Sequence, residues 1–293
     1  MGAEEYMRTK NERMKKMQRD KTLRVIRVPI PTPTLYPHTT TNSYLIGNEE
    51  ESLLVDAGYD QQETRDEIEK AIKENELAVP QSIVITHSHT AHDPGVRRLA
   101  DWNPMVYCHK NEHEQIKNAI SPIKDLSHLN DGDRLTVAGE ELNVIHGPGH
   151  TAGQLNLYIP SEKILLAGDN IVAEGTTWIG PPDGDMSDYI NTLNRLKQLN
   201  ITKIGPGHGD WVDNPYEQIE FVIKRRLHRE NQIKDFLKDH NQLTAERLTE
   251  LIYEDTIHPS VFGVAKKTTE AHLIKLMKEG TVTQKGSTYS LTI

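Results

Sequence analysis

The stretch His87-Ser88-His89-Thr90-Ala91-His92-Asp93-Pro94-Gly95 places three imidazoles within six positions. His87 and His89 alternate along the chain and can reach one metal ion together, while His92 is offset enough to serve a second. Further along stand Gly149-His150-Thr151, Gly168-Asp169 and Pro206-Gly207-His208-Gly209. Neutral imidazoles and carboxylates are the ligands that suit Zn²⁺, Mn²⁺ or Fe, and a glycine beside each ligand lets the backbone pass close to an ion. An isolated histidine such as His109, His113, His128, His228, His240 or His258 reads as an ordinary surface or core imidazole. Three clustered histidines followed by two Gly-His units and a Gly-Asp read differently: they point to a metal site.

These residues need elements that carry them. The runs 42–46, 52–56, 82–86, 142–146, 156–159 and 164–167 are β-branched or aliphatic and end in turn residues, which predicts strands. The clusters follow such runs, on the loops where a scaffold usually carries its chemistry. Residues 61–73 and 188–199 carry apolar positions at helical spacing, and strands interleaved with helices argue for an α/β fold of sheets covered by helices. After residue 210 the pattern becomes almost continuously helical: 215–240, 244–254 and 261–279, the last ending at Gly280. Residues 281–283 and 288–292 then flank a turn at Lys285-Gly286, so three helices and a hairpin trace a winged-helix outline. The expected organisation is a charged arm over 1–22, an α/β domain over 23–214, and a long helix with a winged-helix-like domain over 215–293.

The histidine and aspartate set resembles the metallo-β-lactamase superfamily over roughly residues 23–209. The resemblance implies an αββα sandwich followed here by the small helical domain. Where that family reads His-x-His-x-Asp-His, this chain reads His87-Ser88-His89-Thr90-Ala91-His92. The implied site holds two divalent ions, zinc first and manganese or iron as alternatives. His87, His89 and His150 would hold one, His92 and His208 the other, with Asp169 bridging both. Asp56, in Leu53-Leu54-Val55-Asp56-Ala57-Gly58, matches the first family motif, whose implied role is to orient ligands without binding metal.

Ala91 departs from the family pattern. A methyl group neither ligates a metal nor orients an attacking hydroxide, so the second ion is expected to bind weakly and turnover to be slow. The preferred reading is an inactivating change in an otherwise active enzyme, with a naturally impaired member as the rival. The adjacent Asp93 precedes Pro94, which suits a helix start, and is expected to serve as a side-chain N-cap in preference to a displaced ligand.

On the substrate side, residues 174–185 are rich in Gly and Pro and lead away from Asp169. They read either as a pocket wall, with Trp178 and Tyr189 facing substrate, or as a surface loop pinned by a buried tryptophan. The helical tail makes the chain similar to the lactamase-beta-like 2 group, which pairs the fold with a winged helix. That group and its relatives include single-strand endoribonucleases and thioesterases acting on carrier-bound acyl chains. The expected function is hydrolysis of an ester, thioester or lactone of a small-molecule or carrier-bound acyl substrate by a metal-bound hydroxide. The alternatives are a metal-dependent endoribonuclease and a non-catalytic metal-binding regulator. RNA cleavage would draw on Lys224, Arg225, Arg226 and Arg229 with Lys266, Lys267, Lys275 and Lys278, but acidic residues intersperse them, and a solvated helix face is the plainer reading.

The formal net charge of −9 over 293 residues argues against a protein built mainly to hold nucleic acid or an anionic membrane by charge. One cysteine, Cys108, excludes an internal disulfide framework and suits a reducing cytosol. No apolar run approaches the ~20 residues that span a bilayer. The N-terminal residues lack the apolar stretch of a secretory signal, so a cytoplasmic location is expected.

Overall fold

The computed structural model describes residues 22–33, 39–253 and 256–292. The arm expected over 1–22 therefore lies, Thr22 apart, outside the described residues. The chain divides into two compact units, the first reaching Ile145 and adding Leu155–Lys163, the second comprising His146–Gln154 and everything from Ile164 onward.

In the first unit a six-stranded sheet runs in order from β1 (Arg24–Pro31) through β2 (Thr40–Gly47), β3 (Ser52–Val55), β4 (Ser82–Val84) and β5 (Met105–Cys108) to β6 (Leu126–His128). The first three strands pair antiparallel, and from β3 onward pairing is parallel. Arg24–Pro31 was not among the strands expected, because two prolines interrupt it. Proline is tolerated where its missing N–H faces outward, and β1 is an edge strand that buries Val28 and Ile30 while exposing Pro29 and Pro31. Helix α1 (Gln62–Glu74) and helix α2 (His113–Ile120) bring Ile68, Ile72, Ile116 and Ile120 into one core with Leu45, Leu54, Ile83 and Val106. The strands β7 (Arg134–Val137) and β8 (Glu140–His146) pair antiparallel, and β9 (Leu155–Ile159) lies beside β8. Cys108 is fully buried and burial pushes its thiol up to about 12, so it behaves as a small apolar core group.

One register matters most for the site. Because β3 and β4 are parallel with Leu54 opposite Ile83 and Val55 opposite Val84, their C-terminal ends are level. The residue after β3 and the loop after β4 therefore emerge side by side.

The second unit repeats that device. Strands β10 (Ile164–Gly168) and β11 (Lys203–Pro206) pair parallel, with Leu165 opposite Ile204, and Gly207 N–H donates to Gly168 O at 2.7 Å. Helix α3 (Met186–Leu196) starts on Asp185, whose carboxylate accepts from Ser187 and Asp188 N–H. Then come helix α4 (Pro215–His240), the short strand β12 (Leu243–Thr244), helix α5 (Ala245–Tyr253), helix α6 (Phe262–Lys278), and the hairpin β13 (Val282–Lys285) with β14 (Thr288–Leu291). Their strands order as β12-β14-β13. Helix α4 occupies the span read from sequence, with Pro215 in its first turn and Asn241 at φ +61° as its stop. The three helices and the hairpin enclose Ile233, Leu237, Leu248, Leu273, Leu276 and Val282.

Beside that core runs a buried charged chain. Glu230 of α4 accepts from Lys275 Nζ at 2.9 Å and faces His272 Nδ1 at 3.4 Å, both from α6, and Lys275 also meets Glu279 at 2.7 Å. Burial holds the His272 imidazole down to about 4 against the pull of Glu230. The folded protein thus keeps His272 neutral where the unfolded chain takes a proton, so stability falls as pH drops from about 6.5 toward about 4. The expected loss is on the order of 3 kcal/mol over that window. Thermal melts at stepped pH should show it, and His272→Leu should flatten the slope there.

Candidate metal centre

The level ends of β3 and β4 carry the first half of the predicted residue set. Asp56, buried and at φ +56°, accepts from Thr86 N–H at 2.7 Å and Thr86 Oγ1–H at 2.8 Å. Its Oδ2 lies 2.8 Å from His92 Nδ1. A carboxylate on Nδ1 fixes the tautomer, which makes Nε2 the nitrogen that could ligate a metal. Asp56 thus holds the His92 ring through its Nδ1 side. The backbone is clamped as well: His92 N–H donates to His89 O and Ala57 N–H to His92 O, both at 2.8 Å. Gly95 passes so close that a Cβ there would lie 2.0 Å from Ala57 O.

The three imidazoles of this half stack against one another. His87 stands edge-on to His89 at 4.7 Å between ring centroids and tilted against His92 at 4.2 Å. His87 Nδ1 lies 3.0 Å from Thr86 Oγ1. Ala91 is buried within the same turn. Sequence reasoning missed Glu112, whose buried carboxylate accepts from Ser88 N–H at 3.1 Å and from the Ser88 hydroxyl, bracing the residue between two of the histidines. The spacing of 24 residues and the ordinary look of a helix-start glutamate offered no signal.

Asp93 corrects an expectation. The short 3₁₀ helix begins at Pro94 as the Asp-Pro pair suggests, but the Asp93 side chain makes no capping hydrogen bond. It is buried instead, and burial, reinforced by Asp56 and Glu112 and opposed by His92, pushes its carboxyl up to about 7.

The second unit carries the rest of the predicted residue set. Asp169 follows β10 and His208 follows β11, so the parallel pair sets the carboxylate and imidazole together with His208 Nε2 3.4 Å from Asp169 Oδ2. His150 Nε2 stands 3.7 Å from the same oxygen. Two ligands each about 2.0–2.1 Å from one tetrahedral ion stand about 3.3 Å apart, so these separations fit ligation better than direct hydrogen bonding. Gly207 is a cradle for the carboxylate, since a Cβ there would lie 1.9 Å from Asp169 Oδ1. On donor chemistry and on space, the residues fit a divalent ion.

Trp178 and Tyr189 sit against this half. His150 Nδ1 donates to Trp178 O at 2.9 Å, because a carbonyl can only accept. The Trp178 indole N–H donates to Val264 O at 3.2 Å. Tyr189 is fully buried, and its hydroxyl donates to Asn170 O at 2.8 Å. A Cβ on Gly149 would lie 2.3 Å from Tyr189 Cα, so α3 packs directly on the backbone before His150. Asn170 Nδ2 donates to Gly147 O at 2.9 Å and ties the Asp169 loop to the His150 loop, another support that sequence did not reveal.

The chain is similar to known proteins along most of its length. Residues 36–208 match the profile described as the metallo-beta-lactamase superfamily, and residues 244–290 that of the beta-lactamase associated winged helix domain. A beta-lactamase-like protein 2 homolog of Caenorhabditis elegans is 31% identical over 83% of this chain and 80% of its own length. An atrochrysone carboxyl ACP thioesterase of Aspergillus chevalieri is 28% identical over 94% of this chain and 87% of its own. Among solved structures, a metallo-beta-lactamase family protein of Thermus thermophilus superposes with a TM-score of 0.77 at 23% identity, covering 92% of this chain and 98% of that one.

Proposed function

We propose, from the premise that the chain belongs to the metallo-β-lactamase superfamily, that it is a metal-dependent hydrolase of acyl thioesters carried on a protein or small-molecule thiol, with oxygen esters and lactones as lesser substrates. The observation that carries the reading is one carboxylate, Asp169, facing both His150 and His208 at ligand spacing. A relative of nearly the same extent named as an acyl carrier protein thioesterase supports the choice of thioester.

In this reading His87, His89 and His150 would hold one ion, His92 and His208 would hold the other, and Asp169 would serve both. A divalent pair in those seats would supply a water nucleophile at neutral pH and polarise the electrophilic oxygen, and zinc fits the imidazole-rich set best. The chain's own residues do the orienting. Asp56 fixes the His92 ring, Thr86 and Glu112 brace the His87–His89 turn, and the Trp178 carbonyl fixes the His150 ring. Ala91 supplies no ligand to the second seat, so that seat is the weaker one and turnover is impaired. Trp178, half-buried and carrying the carbonyl that receives the His150 proton, is the side chain we place nearest the acyl group.

The basic residues that would favour RNA or DNA are largely engaged within the fold. Arg226 is buried, Arg229 lies over the Tyr253 ring at 4.5 Å, and Lys224 faces Glu220 at 3.5 Å. Lys275 is held by Glu230 and Glu279, and Lys267 and Lys278 contact Pro181 O and Asp185. No described helix is long and apolar enough to cross a membrane.

The test is a panel of acyl thioesters, aryl esters, lactones and single-stranded RNA offered to zinc-loaded protein carrying Ala91→Asp. Thioester turnover at least about tenfold above the other classes is expected, a discrimination of about 1.4 kcal/mol. RNA cleavage without thioester turnover would overturn the assignment.

A further inference from the structure

The last helix of a winged-helix domain is the element such domains commonly offer to nucleic acid. Here α6 instead contacts a loop of the same unit through several residues. Val264 O accepts from the Trp178 indole at 3.2 Å, Lys267 Nζ donates to Pro181 O at 2.9 Å, and Lys278 pairs with Asp185. The packing is tight, since a Cβ on Gly180 would lie 2.6 Å from Trp178 Cζ2 and 2.9 Å from Lys267 Cβ. All three contacts fall on the loop between Asp169 and α3.

A fourth contact reaches that loop from α4. Arg226 donates to Thr177 O, and its guanidinium carbon stands 5.8 Å from the Tyr189 ring centroid. It is buried, its Nε has no hydrogen-bond partner among the described residues, and no ion pair of Arg226 with a carboxylate is seen among them. Taking such a charge out of water costs several kcal/mol, and a methionine would fill the space without that cost. What the cation provides instead is a fixed carbonyl one residue before Trp178, whose own carbonyl receives the His150 Nδ1 proton. At the loop's far end Asp185 N–H donates to Gly149 O at 2.9 Å, so the segment also grips the residue before His150.

We propose that α6 and Arg226 form a positioning frame for His150: the winged-helix domain sets the Thr177–Trp178 backbone so that His150 keeps its proton on Nδ1 and presents Nε2 as a ligand. Arg226, Lys267 and Lys278 are positioning residues, acting through the loop. The inference rests on the reading of His150 as a metal ligand. Outer partners of this kind are worth about 10–100-fold in metal affinity.

The test uses the full-length protein stripped of metal, with two readouts. Zinc affinity is taken from competition with a chromophoric chelator, and the His150 tautomer from the ¹⁵N shifts of its ring in the metal-free state. Arg226→Met should weaken the tighter zinc site about 10–100-fold and convert a single Nδ1–H tautomer into a mixture, while Arg226→Lys should recover most of both. Should Arg226→Met fail to fold by circular dichroism, Lys267→Met decides, since that residue is exposed; its expected loss is smaller, about threefold or more, by the same route. Wild-type tautomer and affinity in the folded variants would overturn the proposal. His150→Ala is the control for the reading beneath it. If that variant binds zinc as tightly as the parent, His150 is no ligand and the metal assignment fails, whereas a shifted tautomer in Arg226→Met would still support the frame.

Discussion

Replacing Asp169 with alanine is expected to reduce zinc content to one equivalent or less and to cut hydrolysis by about 10³-fold or more, measured in the Ala91→Asp background where turnover is largest. Metal-assisted polarisation is worth several kcal/mol, and each 1.4 kcal/mol is a factor of ten. The size of the effect follows from sharing. His150 Nε2 and His208 Nε2 both face Oδ2 of this one carboxylate, at 3.7 and 3.4 Å, so its loss touches two imidazoles at once. Asp169→Asn separates charge from shape: it keeps one oxygen beside Gly207 but removes the negative charge, and should retain more metal than alanine does. Metal analysis by mass spectrometry reads both variants, and a full complement of two ions in Asp169→Ala would refute the assignment.

The second large effect is a gain. Ala91→Asp should raise affinity for the weaker ion by about 10²-fold and hydrolysis by a similar factor, since a carboxylate ligand would enter a position now held by a methyl group. Ala91 is buried, so the same change has opposite consequences without metal. An unpaired carboxylate there costs stability, whereas zinc at 100 times its dissociation constant returns about 2.7 kcal/mol. Thermal melts should therefore show Ala91→Asp below the parent in chelator and above it in zinc. No change in either metal content or hydrolysis would overturn the proposal that Ala91 impairs the site.

Much of the candidate site was legible because the residues proposed as ligands are chemically conspicuous and follow strands. A histidine cluster after β4, an aspartate after β10 and a histidine after β11 are local facts of sequence. So was most of the helical tail, where Pro215 and Asn241 bound a helix read at its observed length. What stayed hidden depends on tertiary approach. Glu112 reaches Ser88 across 24 residues, and Arg226 reaches Thr177 across 49, and neither carries a pattern that distinguishes it from a solvated charge. Arg226 was grouped with a basic stripe for that reason. The fate of Asp93 was missed for a different one: Asp-Pro correctly marks a helix start, but residue type alone does not say whether the carboxylate caps it.

The support given to Thr177, Trp178 and Pro181 bears on how this protein can be divided. A fragment stopping at residue 214 would contain every side chain proposed as a ligand and would look, by motif, like a complete enzyme. It would nonetheless leave the Thr177 and Pro181 carbonyls and the indole N–H without the partners that α4 and α6 supply. Catalytic competence and domain boundary thus need not coincide, and shuffling the tail between relatives would exchange part of the ligand geometry along with it.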